Sequence, residues 1–81
     1  ALIRRQMELL RQEFDAREQA LRLELQAARA KLDGGSANYE RLRTLFDTGV
    51  VPLDELTKSE AELQVLRAEA ARLEVLLNQY D

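Results

Sequence analysis

The sequence predicts an all-α fold, an antiparallel coiled-coil helical hairpin, on three observations. Leu, Ala, Glu and Arg dominate a chain that is 46% hydrophobic and 33% charged, the composition of long helices and coiled coils. Apolar residues recur at spacings of three and four over most of its length, which marks one face of a helix. Helix-stop and helix-start signals then stand back to back in Gly49-Val50-Val51-Pro52, where the chain is expected to reverse. With 81 residues, a compact core is hard to build. A seam between two helices needs only a narrow apolar stripe.

A first helix is predicted over residues 2–32. Ile3, Met7, Leu10, Phe14, Leu21, Leu25, Ala28 and Leu32 fall on its apolar stripe. Arg17 interrupts that stripe, and the phase slips between Leu21 and Leu25, a stutter that changes the supercoil locally. Glu13/Arg17 and Glu18/Arg22 stand four apart in the favourable order, each such pair contributing a few tenths of a kcal/mol. Asp33-Gly34-Gly35-Ser36 is expected to break the arm, two glycines ending one helix and Ser36 capping the next. A second, short helix over 37–48 follows, with Tyr39, Leu42, Leu45 and Phe46 as its apolar residues.

Gly49, Val50 and Val51 form the predicted tip turn. Gly49 stands where a left-handed residue closes a helix, and Val50 then falls opposite Leu45 in a Schellman motif. Pro52 suits the first position of a new helix, where a missing N–H is harmless. Asp54 and Glu55 put negative charge in that helix's first turn, where the dipole favours it. The third helix, 52–80, has the cleanest heptads: Leu56, Leu63, Ala70 and Leu77 on one core position, Ser59, Leu66, Leu73 and Tyr80 on the other. It rises about 42 Å at 1.5 Å per residue. The short second helix cannot cover that length, so the first is expected to continue beyond a kink at Gly34-Gly35 in nearly the same direction. The kinked two-arm hairpin is therefore preferred to a three-helix arrangement. It leaves about twenty N-terminal residues beyond their partner.

The residue inventory argues against an enzyme. There is no His, no Cys and no glycine-rich phosphate loop, and nothing calls for a cofactor. Asp54/Glu55 and Glu60/Glu62 lack the ligand cage of a divalent metal site. The net charge is −3, with seven Lys/Arg against six Asp/Glu in residues 1–33 and five against nine in 34–81. With no block of one sign, nucleic acid is a poor partner, and so is an anionic membrane surface. No apolar run approaches the ~20 residues of a membrane span, and no signal peptide is visible. Unusual residues concentrate at the corner, where Arg41, Arg43, Phe46, Val50, Val51 and Leu53 gather around a tight reversal. Apolar residues at an exposed tip point to a contact site.

The same residues carry a resemblance. Arg41-Leu42-Arg43-Thr44-Leu45, followed after six residues by Pro52 and after three more by Leu56, resembles the hairpin tip of periplasmic adaptor proteins. These are the membrane fusion proteins of the HlyD family. Gly49-Val50-Val51, Asp54-Glu55-Leu56 and Ser59-Glu60-Ala61-Glu62-Leu63 are similar as well, so the specific likeness spans about residues 37–66. Pro52 stands where the family usually has Ser, and Thr57 where it usually has Asp. The resemblance implies a segment of an adaptor in type I secretion or drug efflux, docking onto a TolC-type outer-membrane channel through Arg41, Leu45, Pro52 and Leu56. It further implies self-assembly, commonly as six hairpins. Domains outside the hairpin would lead to an inner-membrane transporter. The place would be the periplasm of a Gram-negative bacterium, with the whole protein anchored to the inner membrane. A coiled-coil spacer or dimerisation arm without a channel partner is the alternative.

Overall fold

A computed structural model describes residues 2–80. Two helices account for it: α1, Leu2–Asp47, and α2, Leu53–Asn78. They pack antiparallel in a rod of 72 × 16 × 14 Å. At 1.5 Å per residue α1 rises about 69 Å and α2 about 39 Å, so α1 spans the rod and α2 covers part of it. The fold is an all-α helical hairpin, as the periodicity predicts.

The expected break at Gly34-Gly35 is absent. The helix runs through residues 33–36, so the predicted helices 2–32 and 37–48 are one, and Ser36 is a half-buried mid-helix residue instead of a cap. The reason lies in the seam. Leu21, Leu25, Ala28, Leu32, Gly35, Tyr39, Leu42 and Phe46 keep alternating steps of four and three straight across the glycines. Gly35 is itself a seam position. A β-carbon there would lie 2.5 Å from Leu66 Cδ1 and 3.8 Å from Leu63 Cδ1, so its missing side chain lets α2 approach. Gly34 faces open space, with nothing within 4 Å of such an atom. Each glycine weakens a helix by about 1 kcal/mol relative to Ala, and packing along the arm outweighs that penalty.

Leu25 and Ala28 of α1 meet Ala70, Leu73 and Leu77 of α2 in the main cluster, with Leu21 and Leu32 packed against it. Leu73 is the most deeply buried of them, at 2% exposure. Burying a Leu side chain fully contributes roughly 1.5–3 kcal/mol. Nearer the corner Leu63 and Ser59 are buried too. All eight seam positions predicted on α2 are buried or half-buried, while Val65 and Val75 face outward. Small residues at Ala28, Gly35, Ser59 and Ala70 keep the two axes close.

Ion pairs decorate the outer faces. Arg22 meets Glu18 at 2.8 Å, and Arg29 bridges the arms to Glu74 at 2.9 Å. Arg72 donates two hydrogen bonds to Glu69, at 2.8 and 3.2 Å. Hydrogen bonding from Arg72 holds the Glu69 carboxyl below its ordinary range and raises Arg72 in turn.

Residues 2–17 are all exposed, and Leu21 is the first stripe residue to sink into the seam. This matches the expected overhang of α1. The rings of Phe14 and Tyr80 lie 4.6 Å apart, tilted by 50°. That aromatic contact marks where α2 stops covering its neighbour.

Candidate functional site: the hairpin tip

Backbone hydrogen bonds build the corner. The Gly49 N–H donates to the Phe46 carbonyl at 2.9 Å and the Val50 N–H to the Leu45 carbonyl at 2.8 Å. These are the two bonds of a Schellman motif. Gly49 has φ +78°, a left-handed conformation that glycine adopts without a steric penalty. The Thr48 hydroxyl donates to the carbonyls of Thr44, at 3.2 Å, and Leu45, at 3.1 Å. The Thr44 hydroxyl reaches the Glu40 carbonyl at 3.1 Å. The last turn of α1 thus satisfies carbonyls that a helix end leaves without partners.

The start of α2 differs from the expectation in one respect. Pro52 is the N-cap, not the first helical residue: φ is −76° and ψ 160°, an extended conformation. One extended residue is needed to carry the chain between the arms, and proline's fixed φ suits that role equally. The Pro52 carbonyl accepts the Glu55 N–H at 3.2 Å, and Leu53 opens the helix. Asp54 and Glu55 occupy its first turn as predicted.

The corner divides the predicted tip residues into two groups. Arg41, Val50 and Pro52 are exposed, whereas Leu45, Val51 and Leu56 are half-buried and lean into the hairpin. Val50 keeps 67% of its surface open, so it is presented to solvent more than folded against Leu45. Leu53 joins it at 59%. The sequence places Leu53 at the reversal but not among the docking residues. Its signal is positional: it precedes the seam residue Leu56 by three and lies beyond the end of α1. Arg41 Nη2 donates to Asn38 Oδ1 at 3.0 Å on its own helix. A shallow groove crosses the arms behind the tip, with Asn38 and Arg41 on one side and Glu55, Lys58 and Glu62 on the other.

This arrangement suits contact with a protein surface. An apolar corner of two exposed side chains stands on a backbone closed by its own hydrogen bonds. The Arg41 guanidinium, in the groove behind the tip, can offer a fork of donors to carbonyls or carboxylates. Among the described residues no group of three or more Asp or Glu comes together as a metal cage. No helix among them is long and apolar enough to cross a membrane. Fold and corner together define the class: an antiparallel coiled-coil hairpin that presents its turn. No family model, curated protein or solved structure matches the chain.

Proposed function

We propose that this chain is the helical hairpin of a periplasmic adaptor of the HlyD type, docking by its tip onto a TolC-type outer-membrane channel in type I secretion or drug efflux. The observation that carries the reading is the corner. A Schellman turn at Gly49 leaves Val50 and Leu53 exposed at the end of a 72 Å rod, on residues that resemble the adaptor tip. In this reading Val50 and Leu53 supply apolar contact and Arg41 supplies donors. Leu45 and Leu56 brace the turn from within, and Pro52 sets its exit. Hairpins stand side by side, commonly six, so that their tips meet one channel mouth. Domains beyond the hairpin hold an inner-membrane transporter and anchor the assembly on the periplasmic side.

The test is binding of the purified hairpin to a purified TolC-type channel, together with export by the whole adaptor. Val50→Ser, Leu53→Ser and Arg41→Asp are expected to abolish both while leaving helix content unchanged, because all three residues are exposed. Leu45→Ser is expected to abolish export as well, with some loss of stability because Leu45 is half-buried. Equal binding and export by the three surface variants would remove the docking reading in favour of a spacer, in which Leu66 and Leu73 matter and the tip does not.

A further inference from the structure

We propose that the groove behind the tip is a subsite for the docking partner: it takes the carboxamide side chain of a partner asparagine or glutamine and holds it through the Ser59 hydroxyl and the Asn38 amide. Ser59 is 5% exposed, and among the described residues its hydroxyl has no hydrogen-bond partner. No side-chain oxygen or nitrogen among them is both fully covered and without a partner. The oxygen therefore holds part of the little surface that Ser59 keeps, and Ser59 lines the groove. The seam itself does not call for a hydroxyl there. The same heptad position holds Leu66, Leu73 and Tyr80, and where the main cluster uses small residues they are Ala28 and Ala70. Alanine at position 59 would favour the helix more and would leave no hydroxyl to desolvate. A ligand that bonds the hydroxyl accounts for a serine kept against both effects.

The groups around that hydroxyl select the occupant. Asn38 lines the groove from the other arm. Its Oδ1 accepts a hydrogen bond from Arg41 Nη2 at 3.0 Å, which leaves its amino group to donate. Ser59 and Asn38 thus offer two donors to one acceptor oxygen. The charges beside them balance, with Arg41 and Lys58 positive and Glu55 and Glu62 negative. A carboxylate entering the groove meets both glutamates, and an ammonium or guanidinium meets both basic side chains, in each case after giving up water. A neutral group with an acceptor and a donor side by side meets no such penalty. A primary carboxamide is that group: its oxygen accepts from Ser59 and Asn38, and its amino group donates to Glu55 or Glu62. A hydroxyl from the partner would bring one donor against the two of an amide, on a shorter side chain.

The groove also lies within reach of the corner. Ser59 follows Leu53 by six residues, about 9 Å along α2, so a surface seated on Val50 and Leu53 reaches it with one loop. The inference rests on the docking reading and narrows it. The apolar corner supplies contact area, and the groove supplies a hydrogen-bonded anchor that fixes how the rod is turned about its own axis on the partner.

Binding of the purified hairpin to a purified TolC-type channel, read together with thermal melts, tests the subsite. Ser59→Ala is expected to bind about tenfold more weakly and to melt at or above the parent temperature. Asn38→Asp keeps the acceptor that Arg41 holds and removes the donor, and should weaken binding to a similar extent. The exposed asparagines and glutamines at the periplasmic end of the channel are replaced by aspartate one at a time. At one position this should reproduce the loss with the parent hairpin and add nothing to it with Ser59→Ala. Undiminished binding by Ser59→Ala, a loss of binding matched by a lower melting temperature, or the absence of such a channel position would overturn the proposal. So would tighter binding by Glu62→Ala, which would assign the groove to a carboxylate, or by Lys58→Ala, which would assign it to a cation. Val50→Ser separates the subsite from the docking reading. If it abolishes binding while Ser59→Ala does not weaken it, docking stands and the subsite falls. A parent hairpin that does not bind the channel overturns both.

Discussion

Adjacent glycines in one helix give opposite predictions, and the difference can be worked from two distances. Gly34→Ala adds a methyl group into open space, so only the helix propensity changes, a stabilisation of about 0.5–1 kcal/mol. Gly35→Ala brings the same gain but places its β-carbon 2.5 Å from Leu66 Cδ1. Overpacking of this kind costs about 1–3 kcal/mol. The low end applies, because the opposing atom is the far end of a half-buried side chain. The two variants should therefore differ by about 1–2 kcal/mol, with Gly34→Ala above the parent chain and Gly35→Ala at or below it. For a chain of this size 1 kcal/mol moves the melting temperature by roughly 4–8 °C. Thermal melts followed by circular dichroism, at one low protein concentration, resolve that ordering. If Gly34→Ala destabilises the hairpin, the glycines close a helix end and the unbroken arm is wrong. If Gly35→Ala stabilises as much as Gly34→Ala, the close approach of Leu66 is wrong.

Other expectations follow from burial and geometry. Leu73→Ala should cost about 2–5 kcal/mol, since Leu73 is 2% exposed. Val65→Ala, at a position 68% exposed, should stay within about 0.5 kcal/mol; urea melts compare them directly. Gly49→Ala forces a side chain into φ +78°, and a loss of about 1–2 kcal/mol is expected, with helix content nearly unchanged before melting. Glu69 titrates below its ordinary range because Arg72 donates hydrogen bonds to it. Its folded form thus takes up the proton less readily than the unfolded chain. The contribution is present above the ordinary carboxylate range and is lost as pH falls through the lowered value. Both partners are exposed, so Glu69→Gln should make the acid-side fall in melting temperature only slightly shallower, and leave the alkaline side unchanged.

Where the sequence was legible, several residues agreed on one pattern. The seam from Leu56 to Tyr80, whose last residue lies just beyond the end of α2, could be read because eight positions repeat in heptads, and no single one had to be right. The Gly49 corner could be read because a stop signal and a start signal stand back to back there. Gly34-Gly35 misled for the converse reason. Two glycines are a strong local signal for a helix end, and that local rule conflicts with the four-three spacing that continues through Gly35 to Tyr39 and Leu42. Whether a glycine ends a helix or admits a neighbour depends on the opposing Leu66, which no local reading supplies. At the tip the residues that form the turn are legible but not their exposure. Val50 and Val51 are identical in kind, and only the rotation of the turn decides that one is presented and the other half-covered. Leu45 and Leu56 carry both seam spacing and tip position, and the packing resolves them towards the seam.

The unbroken α1 has a mechanical consequence. A jointed arm would absorb a disturbance at one end in its joint. A single helix as long as the 72 Å rod, braced by α2 towards the corner, bends only gently and behaves as a lever. A few degrees of tilt imposed near Leu2 becomes a displacement of several ångström at Val50. Whatever holds the far end of this rod thereby steers where its corner points.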